Sequence, residues 1–318
     1  MRAVVYHRYG GPEQLRMADV PRPVPSSGQV LVRIRSTSVN LSDWECLTGS
    51  PAYARLGGVW RPARRTLGSD IAGVVDAVGP GVTHLRPGDE VYGDNLALKG
   101  GFAEYALAPA SALAPKPAGL DFVSASTIPQ AGAIAVQGTE RVRPGARVLI
   151  NGAGGGSGSF AIQLAKRRGA HVTAVDNGSK QDFMRSVGAD EVIDYEREDF
   201  TRAARPYDLV LDLVAHRSVL AYRRALAPGG TYRCVGGSVG TLLRVLTLGA
   251  VIGAASGRSL GVLAVKQGPA AFEPLGALVT NGEVAAHVDR TFTLDEVPEA
   301  LAHVGQRRAL GKVVVVVS

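Results

Sequence analysis

The strongest chemical signal is a glycine-dense turn, Gly152-Ala153-Gly154-Gly155-Gly156-Ser157-Gly158. Glycine falls at every third place, Gly152, Gly155 and Gly158. The strict G-x-G-x-x-G order is broken, because Ser157 stands where a third glycine is needed in a count from Gly152. Glycines let the backbone approach a pyrophosphate, which then rests on the unpaired N–H groups of a helix start. A carboxylate follows: Asp176 ends the run His171-Val172-Thr173-Ala174-Val175, close to the ~20-residue offset of an acid that holds an adenosine ribose. Taken alone, a glycine-rich turn fits a linker or a tight turn equally well. With Asp176 it predicts dinucleotide binding through Gly152, Gly155, Gly156, Ser157, Gly158 and Asp176.

These residues need a strand before them and a helix after them. Arg147-Val148-Leu149-Ile150-Asn151 reads as the strand, and Ser159 to Lys166 has the apolar spacing of an amphipathic helix. The alternation continues, with strand-like runs at 146–151, 171–175, 190–193, 207–213, 230–236 and 260–266. Six strands with helical crossovers predict a parallel, doubly wound sheet. Residues 1–121 read differently, as short extended runs punctuated by Pro80-Gly81 and Pro87-Gly88-Asp89, the pattern of an irregular, mostly antiparallel β domain. After residue 268 come a helix from Glu273 to Asn281, a strand near His287-Val288, a helix that Asp295 is placed to cap, and Lys312-Val313-Val314-Val315-Val316-Val317. So apolar an end strand belongs in a sheet interior. The expected class is therefore α/β, with a β-rich domain of residues 1–121 completed by 268–318 and a dinucleotide domain of 122–267.

At 318 residues, 46% hydrophobic and 20% charged, the chain has the composition of a globular protein large enough for two cores. Cys46 and Cys234 are far apart and suggest neither a disulfide framework nor a metal pair, so a reducing, cytoplasmic setting is expected. The N-terminal Arg2-Ala3-Val4-Val5-Tyr6 is strand-like rather than leader-like. The apolar stretch 242–255 is interrupted by Arg244, is too short to span a bilayer, and reads as a buried helix. The net charge of +7 comes from dispersed arginines without a nucleic-acid-binding module. Neither nucleic acid nor membrane is expected as a partner.

Several further segments, in order, carry a family resemblance: Val39-Asn40-Leu41-Ser42-Asp43-Trp44, Leu67-Gly68-Ser69-Asp70-Ile71-Ala72-Gly73, Pro87-Gly88-Asp89-Glu90-Val91, Gly101-Phe102-Ala103-Glu104-Tyr105, Gly188-Ala189-Asp190-Glu191-Val192-Ile193-Asp194-Tyr195 and Gly311-Lys312-Val313-Val314. With the glycine turn they make the chain resemble a zinc-free medium-chain dehydrogenase/reductase of the quinone oxidoreductase, ζ-crystallin-like branch. The resemblance implies a GroES-like catalytic domain, a Rossmann cofactor domain, an active site in the cleft between them, and NAD(P)H-dependent hydride transfer to a quinone or an α,β-unsaturated carbonyl.

Zinc-dependent relatives carry a cysteine in the stretch matching Val39–Asp43 and a histidine in the stretch matching Gly68–Asp70. Here Asn40 and Ser69 stand there, both poor zinc ligands, and no metal is expected. Catalytic candidates are Asn40, to orient the nicotinamide ribose or donate to a substrate oxygen, Asp43, and Tyr53 as a proton relay. Asn40 and Asp43 also fit plain capping roles. Further cofactor candidates are Thr127, Lys180, Tyr195, Gly236, Gly237 and Ser238, and Gln130 is a candidate for the cleft wall. Asp176 favours NAD(H) because a carboxylate repels a 2′-phosphate, whereas Lys180 leaves NADP(H) open. The alternative function is a dinucleotide-binding redox sensor with little turnover. The free edge of the sixth strand suggests a homodimer.

Overall fold

The computed structural model describes residues 1–56 and 58–317. Contacts divide the chain into residues 1–133 with 266–318, and 134–265. The first break falls after Ala133 instead of near 121, because the helix after residue 121 packs on strands of the first unit.

The first unit holds β1 (Arg2–Val5), β2 (Arg16–Asp19), β3 (Gln29–Val39), β4 (Asp70–Val78), β5 (Glu90–Asp94), β6 (Tyr105–Pro109) and β7 (Leu113–Pro115). Its helices before the break are α1 (Leu41–Thr48), α2 (Phe122–Thr127) and the first residues of α3 (Pro129–Thr139). β3 is the spine. One edge pairs with β4; the other pairs with β6 over Gln29–Arg33 and, over Ser36–Val39, with the last strand of the chain.

The second unit contains β8 (Arg147–Asn151), α4 (Gly156–Arg167), β9 (His171–Asp176), α5 (Gln181–Ser186), β10 (Glu191–Asp194), β11 (Tyr207–Asp212), α6 (Val219–Ala225) and β12 (Leu226–Cys234). It ends with α7 (Val239–Arg244), α8 (Ala250–Ala255) and β13 (Ser259–Val262). All six strands are parallel in the order β10-β9-β8-β11-β12-β13. Relative to their sequence order this is 3-2-1-4-5-6, the doubly wound dinucleotide topology. The sixth strand is shorter than expected, ending at Val262.

Between α7 and α8 a wide π turn spans Val245–Gly249. This 242–255 region is helical but not buried: Val245 and Gly249 face inward, while Leu243, Leu246, Leu248 and Val251 are exposed. The expectation of a buried helix fails because the neighbouring β13 is short and only one side of the helix finds a sheet to cover.

The chain returns to the first unit through α9 (Pro269–Thr280), β14 (Val288–Thr293), α10 (Val297–Gly305) and β15 (Lys312–Val316). Thr293 and Glu296 form a capping box ahead of α10. Asp295 is therefore not the cap, and it pairs instead with Arg2. β15 lies between β14 and β3, with Val313, Val314 and Val315 wholly buried. Each such side chain contributes about 1.5–3 kcal/mol by leaving water. The Val314→Asp variant would bury an unpaired carboxylate, and we expect it to lose roughly 3–5 kcal/mol in urea unfolding followed by circular dichroism.

Candidate functional site

In the second unit, β8 ends at Asn151 and the chain turns on Gly152, whose φ of +80° is a left-handed conformation that disfavours a side chain. A Cβ on Gly158 would lie 2.5 Å from Ala153 Cα and Gly152 O, so only glycine lets α4 start this close to the turn. Gly155 is different: it is extended and has room around it, and it serves as the N-cap. Helix geometry leaves the N–H groups of the next residues, Gly156, Ser157 and Gly158, without intrahelical partners, a setting for a pyrophosphate. The spacing argument missed Gly154, whose Cβ would meet the Lys180 chain at 2.5 Å.

Asp176 is nearly buried at the end of β9. Its Oδ2 accepts the Gly154 N–H at 3.0 Å and its Oδ1 accepts the Asn177 N–H at 2.9 Å. The buried Lys180 ammonium lies 3.5 Å from Oδ1. Asp176 and Lys180 are thus one ion pair stitched to the glycine turn, rather than two independent contacts. Tyr195 packs its ring against the unit's core, and its N–H bonds to Asp176 O. Gly236 and Gly237 both turn with positive φ, and Ser238 caps α7 by accepting the Thr241 N–H.

Sequence reasoning passed over Asp212. Its buried carboxyl accepts from Asn151 Nδ2 at 2.8 Å, Tyr232 Oη at 3.0 Å and Val214 N at 3.2 Å. Burial raises its pKa. The Asn151–Asp212 bond ties the ends of β8 and β11, the two strands at which the sheet order reverses and where such sheets bind ligands.

The first unit concentrates polar groups around α1 and β4. Asn40 is the N-cap of α1, and its N–H donates to Asp43 Oδ2 at 3.0 Å. Its amide nitrogen donates to Asp70 Oδ2 at 2.9 Å and Ser69 Oγ at 3.3 Å, while its oxygen accepts from Lys312 Nζ at 2.7 Å. Both amide hydrogens are spent, so the expected donation by Asn40 to ribose or substrate has no support in this geometry. Asp43 is fully buried, bonded by Gly68 N and by the ammonium of Lys99 at 3.3 Å. It acts as frame rather than as an exposed catalytic carboxylate. Lys99 holds a left-handed backbone at φ +57°, clamped by hydrogen bonds to and from Asn95.

Asp70 is the hub. It accepts from Ser38 Oγ, Asn40 Nδ2, Lys312 Nζ and the Gln130 N–H that opens α3. Gln130 in turn accepts from Ser42 Oγ at 3.0 Å. Asp94 faces Asp70 across β4 and β5. Burial, then the charge of Asp70, pushes its pKa up to about 7, and Oδ1 is buried without a partner.

Thr127 is buried with its hydroxyl hydrogen donated to Ser124 O, so it has no hydrogen left to donate to a nicotinamide. Tyr53 is half-buried and donates to Glu45 Oε1 at 3.1 Å. Burial raises the Tyr53 pKa first and the Glu45 charge adds to it, while burial also raises Glu45. Among the described residues no three His, Cys, Asp or Glu side chains cluster as metal ligands. Asn40, Ser69 and Gln130 offer neutral oxygens, and the Lys312 ammonium already bonds one of them. This donor set does not fit a zinc ion.

Residues 26–118 match the alcohol dehydrogenase GroES-like domain family, and residues 187–315 match a family described as zinc-binding dehydrogenase. The human mitochondrial NAD(P)H oxidoreductase RTN4IP1 is 30% identical over 99% of this chain and 89% of its own length. The chain belongs to the medium-chain dehydrogenase/reductase superfamily, on its quinone oxidoreductase branch. The chloroplastic quinone-oxidoreductase QR1 of Triphysaria versicolor is 30% identical, covering 99% of this chain and 98% of its own. The quinone oxidoreductase of Coxiella burnetii superposes with a TM-score of 0.90 at 28% identity, covering 100% of this chain and 99% of that one. As a member of this superfamily the chain is an NAD(P)H-dependent oxidoreductase with a nicotinamide cofactor.

Asp94 generates a pH prediction. Its folded pKa lies above the ordinary 3.8, so the folded state keeps a proton that the unfolded chain releases. Stability is therefore lost as pH rises from about 4 to about 7 and levels off above that. The Asp94→Asn variant removes this loss. Relative to wild type it should gain about 2 kcal/mol or more between those limits in urea titrations, and an unchanged difference would refute the assignment.

Proposed function

We propose that this oxidoreductase works without zinc and passes hydride to a quinone or an α,β-unsaturated carbonyl. The observation that carries the reading is the amide and hydroxyl pair, Asn40 and Ser69, tied into a lysine-centred network at the positions zinc relatives give to thiolate and imidazole. Alcohol oxidation needs a Lewis acid to stabilise an alkoxide. A quinone or enone instead takes hydride at an activated carbon and spreads the charge onto oxygen, where hydrogen-bond donors suffice. NAD(P)H supplies the hydride when bound.

Within this reading Gly152, Gly155, Gly156, Ser157 and Gly158 seat the pyrophosphate, and Gly236 and Gly237 give the backbone close approach to the nicotinamide. Asp176 accepts from the ribose hydroxyls, which favours NADH, with Lys180 holding the carboxylate in place. Tyr53 is the proton donor, a phenol kept protonated by burial and by Glu45. Asn40 and Asp43 hold the α1 frame beside it. The free edge of β13 suits strand pairing with a second copy, and a monomer by light scattering would remove that part. Two free cysteines suit a reducing compartment such as the cytoplasm.

The test is titration of metal-stripped protein with NADH and NADPH, then turnover with quinones and enones. Turnover that depends on added zinc would refute the reading, and tight binding without turnover would favour a redox sensor. Tyr53→Phe should lower kcat by about 10²-fold with cofactor affinity unchanged. Asp176→Ser should shift preference toward NADPH by about tenfold; a wild type that already prefers NADPH would overturn the role of Asp176 and leave the family intact.

A further inference from the structure

A phenol carries one hydrogen, and Tyr53 gives its hydrogen to Glu45 Oε1 at 3.1 Å. Local structure alone sets the two groups face to face. α1 ends at Gly49, which turns left-handed at φ +64° with its N–H bonded to Glu45 O. The chain then folds back through a tight turn over Ala52–Arg55. Arg55 pins that turn, its Nε donating to Gly49 O at 2.8 Å and its guanidinium lying 4.8 Å over the Tyr9 ring. Acid and phenol are both half-buried, so water competes only weakly for their bond.

That bond can run in two directions. An ionised Glu45 only accepts, and it holds the single hydrogen of Tyr53. A protonated Glu45 donates to Tyr53 Oη across the same contact and frees the phenol hydrogen for another acceptor. Ionisation also puts a negative charge one hydroxyl away from any anion that Tyr53 serves, which raises the barrier to forming it. Burial raises the Glu45 pKa by more than the Tyr53 bond and the Lys99 charge lower it. Other groups around α1 are neutral or otherwise engaged. Asp43 is paired with Lys99, and burial pushes up the Cys46 thiol and the Tyr6 and Tyr9 phenols. α10, which packs on Trp44, brings an exposed Glu299 and a His303 bonded to Asp289 at 2.7 Å.

We propose that Glu45 is the positioning residue that aims the Tyr53 proton, and that Tyr53 acts as a donor only while Glu45 is itself protonated. This rests on the reading of Tyr53 as the proton donor. Hydride addition leaves an enolate or a hydroquinone monoanion that is short of one proton. The O–H bond of Tyr53 breaks as that proton bonds to the anion. The Glu45 proton then passes to the phenolate, and the carboxylate regains a proton from solvent. Each turnover thus consumes one solvent proton and restores both side chains.

The test is the pH profile of kcat for the full chain, with NADH or NADPH and a naphthoquinone or an alkenal as acceptor. Wild-type kcat should fall as pH rises through the raised Glu45 pKa, approaching about tenfold per pH unit. Glu45→Gln substitutes an amide that donates to Tyr53 Oη at every pH, leaving the phenolate to recover its proton from solvent. It should flatten the alkaline limb and exceed wild type there by about tenfold, at unchanged circular dichroism. A readout independent of turnover is the infrared band of a neutral carboxyl in the wild type minus Glu45→Gln difference, which should vanish with the same midpoint as kcat. A flat wild-type profile, a limb that survives in Glu45→Gln, or a Glu45→Gln variant slower than wild type at every pH would each overturn the proposal. Tyr53→Phe separates the two failures. If it lowers kcat about 10²-fold while Glu45→Gln keeps the limb, Tyr53 remains the donor and only the role of Glu45 falls. If Tyr53→Phe leaves kcat unchanged, the donor reading falls and this proposal falls with it.

Discussion

A buried ammonium holds the first unit's polar centre together. Lys312 Nζ sits between Asn40 Oδ1 and Asp70 Oδ2, and all three groups are almost wholly buried. Two carboxylates, Asp70 and Asp94, face one another on adjoining strands, and both cannot be ionised there without a nearby cation. Lys312 Nζ lies 3.3 Å from Asp70 Oδ2, and it is Asp94 whose pKa is raised, by burial and then by the charge of Asp70. The same ammonium fixes which end of the Asn40 amide faces Asp70 and Ser69, so the α1 cap, the β4 start and the α3 start share one electrostatic anchor. A buried pair of this kind adds little net stability, but removing either partner strands a charge. What it secures is geometry.

The second unit uses neutral donors for the same purpose. Asp212 accepts from three donors, Asn151, Val214 and Tyr232, and lies where the sheet order reverses. Backbone hydrogen bonds alone would leave the loops after β8 and β11 free to splay. The Asn151–Asp212 bridge joins them, beside a glycine turn whose own shape is set by Gly152 and Gly158.

Much of this was legible in the sequence, for identifiable reasons. The six parallel strands follow from hydrophobic period and turn residues, and the buried last strand follows from five consecutive valines. The glycine turn was legible because backbone geometry dictates residue type there. The polar centre was much less so. Asp70 and Lys312 are 242 residues apart, and nothing local says that a lysine before a valine run will meet a carboxylate at the head of β4. What Thr127 and Asn40 already bond was hidden for a related reason: residue type advertises a donor, but only packing tells whether its hydrogens are already spent. The 242–255 helix was misread because apolar composition predicts burial without saying how much neighbouring sheet exists to provide it.

β15 has a consequence in time as well as in space. It is an interior strand of the first unit's sheet, yet every other strand of that sheet is synthesised before it. The second unit lies wholly within residues 134–265 and can close while the rest is still being made. Until β15 is made, the Ser36–Val39 edge of β3 has no strand partner, and Asn40 and Asp70 lack the ammonium that bridges them. The nascent first unit thus waits with an open strand edge that the final valines complete.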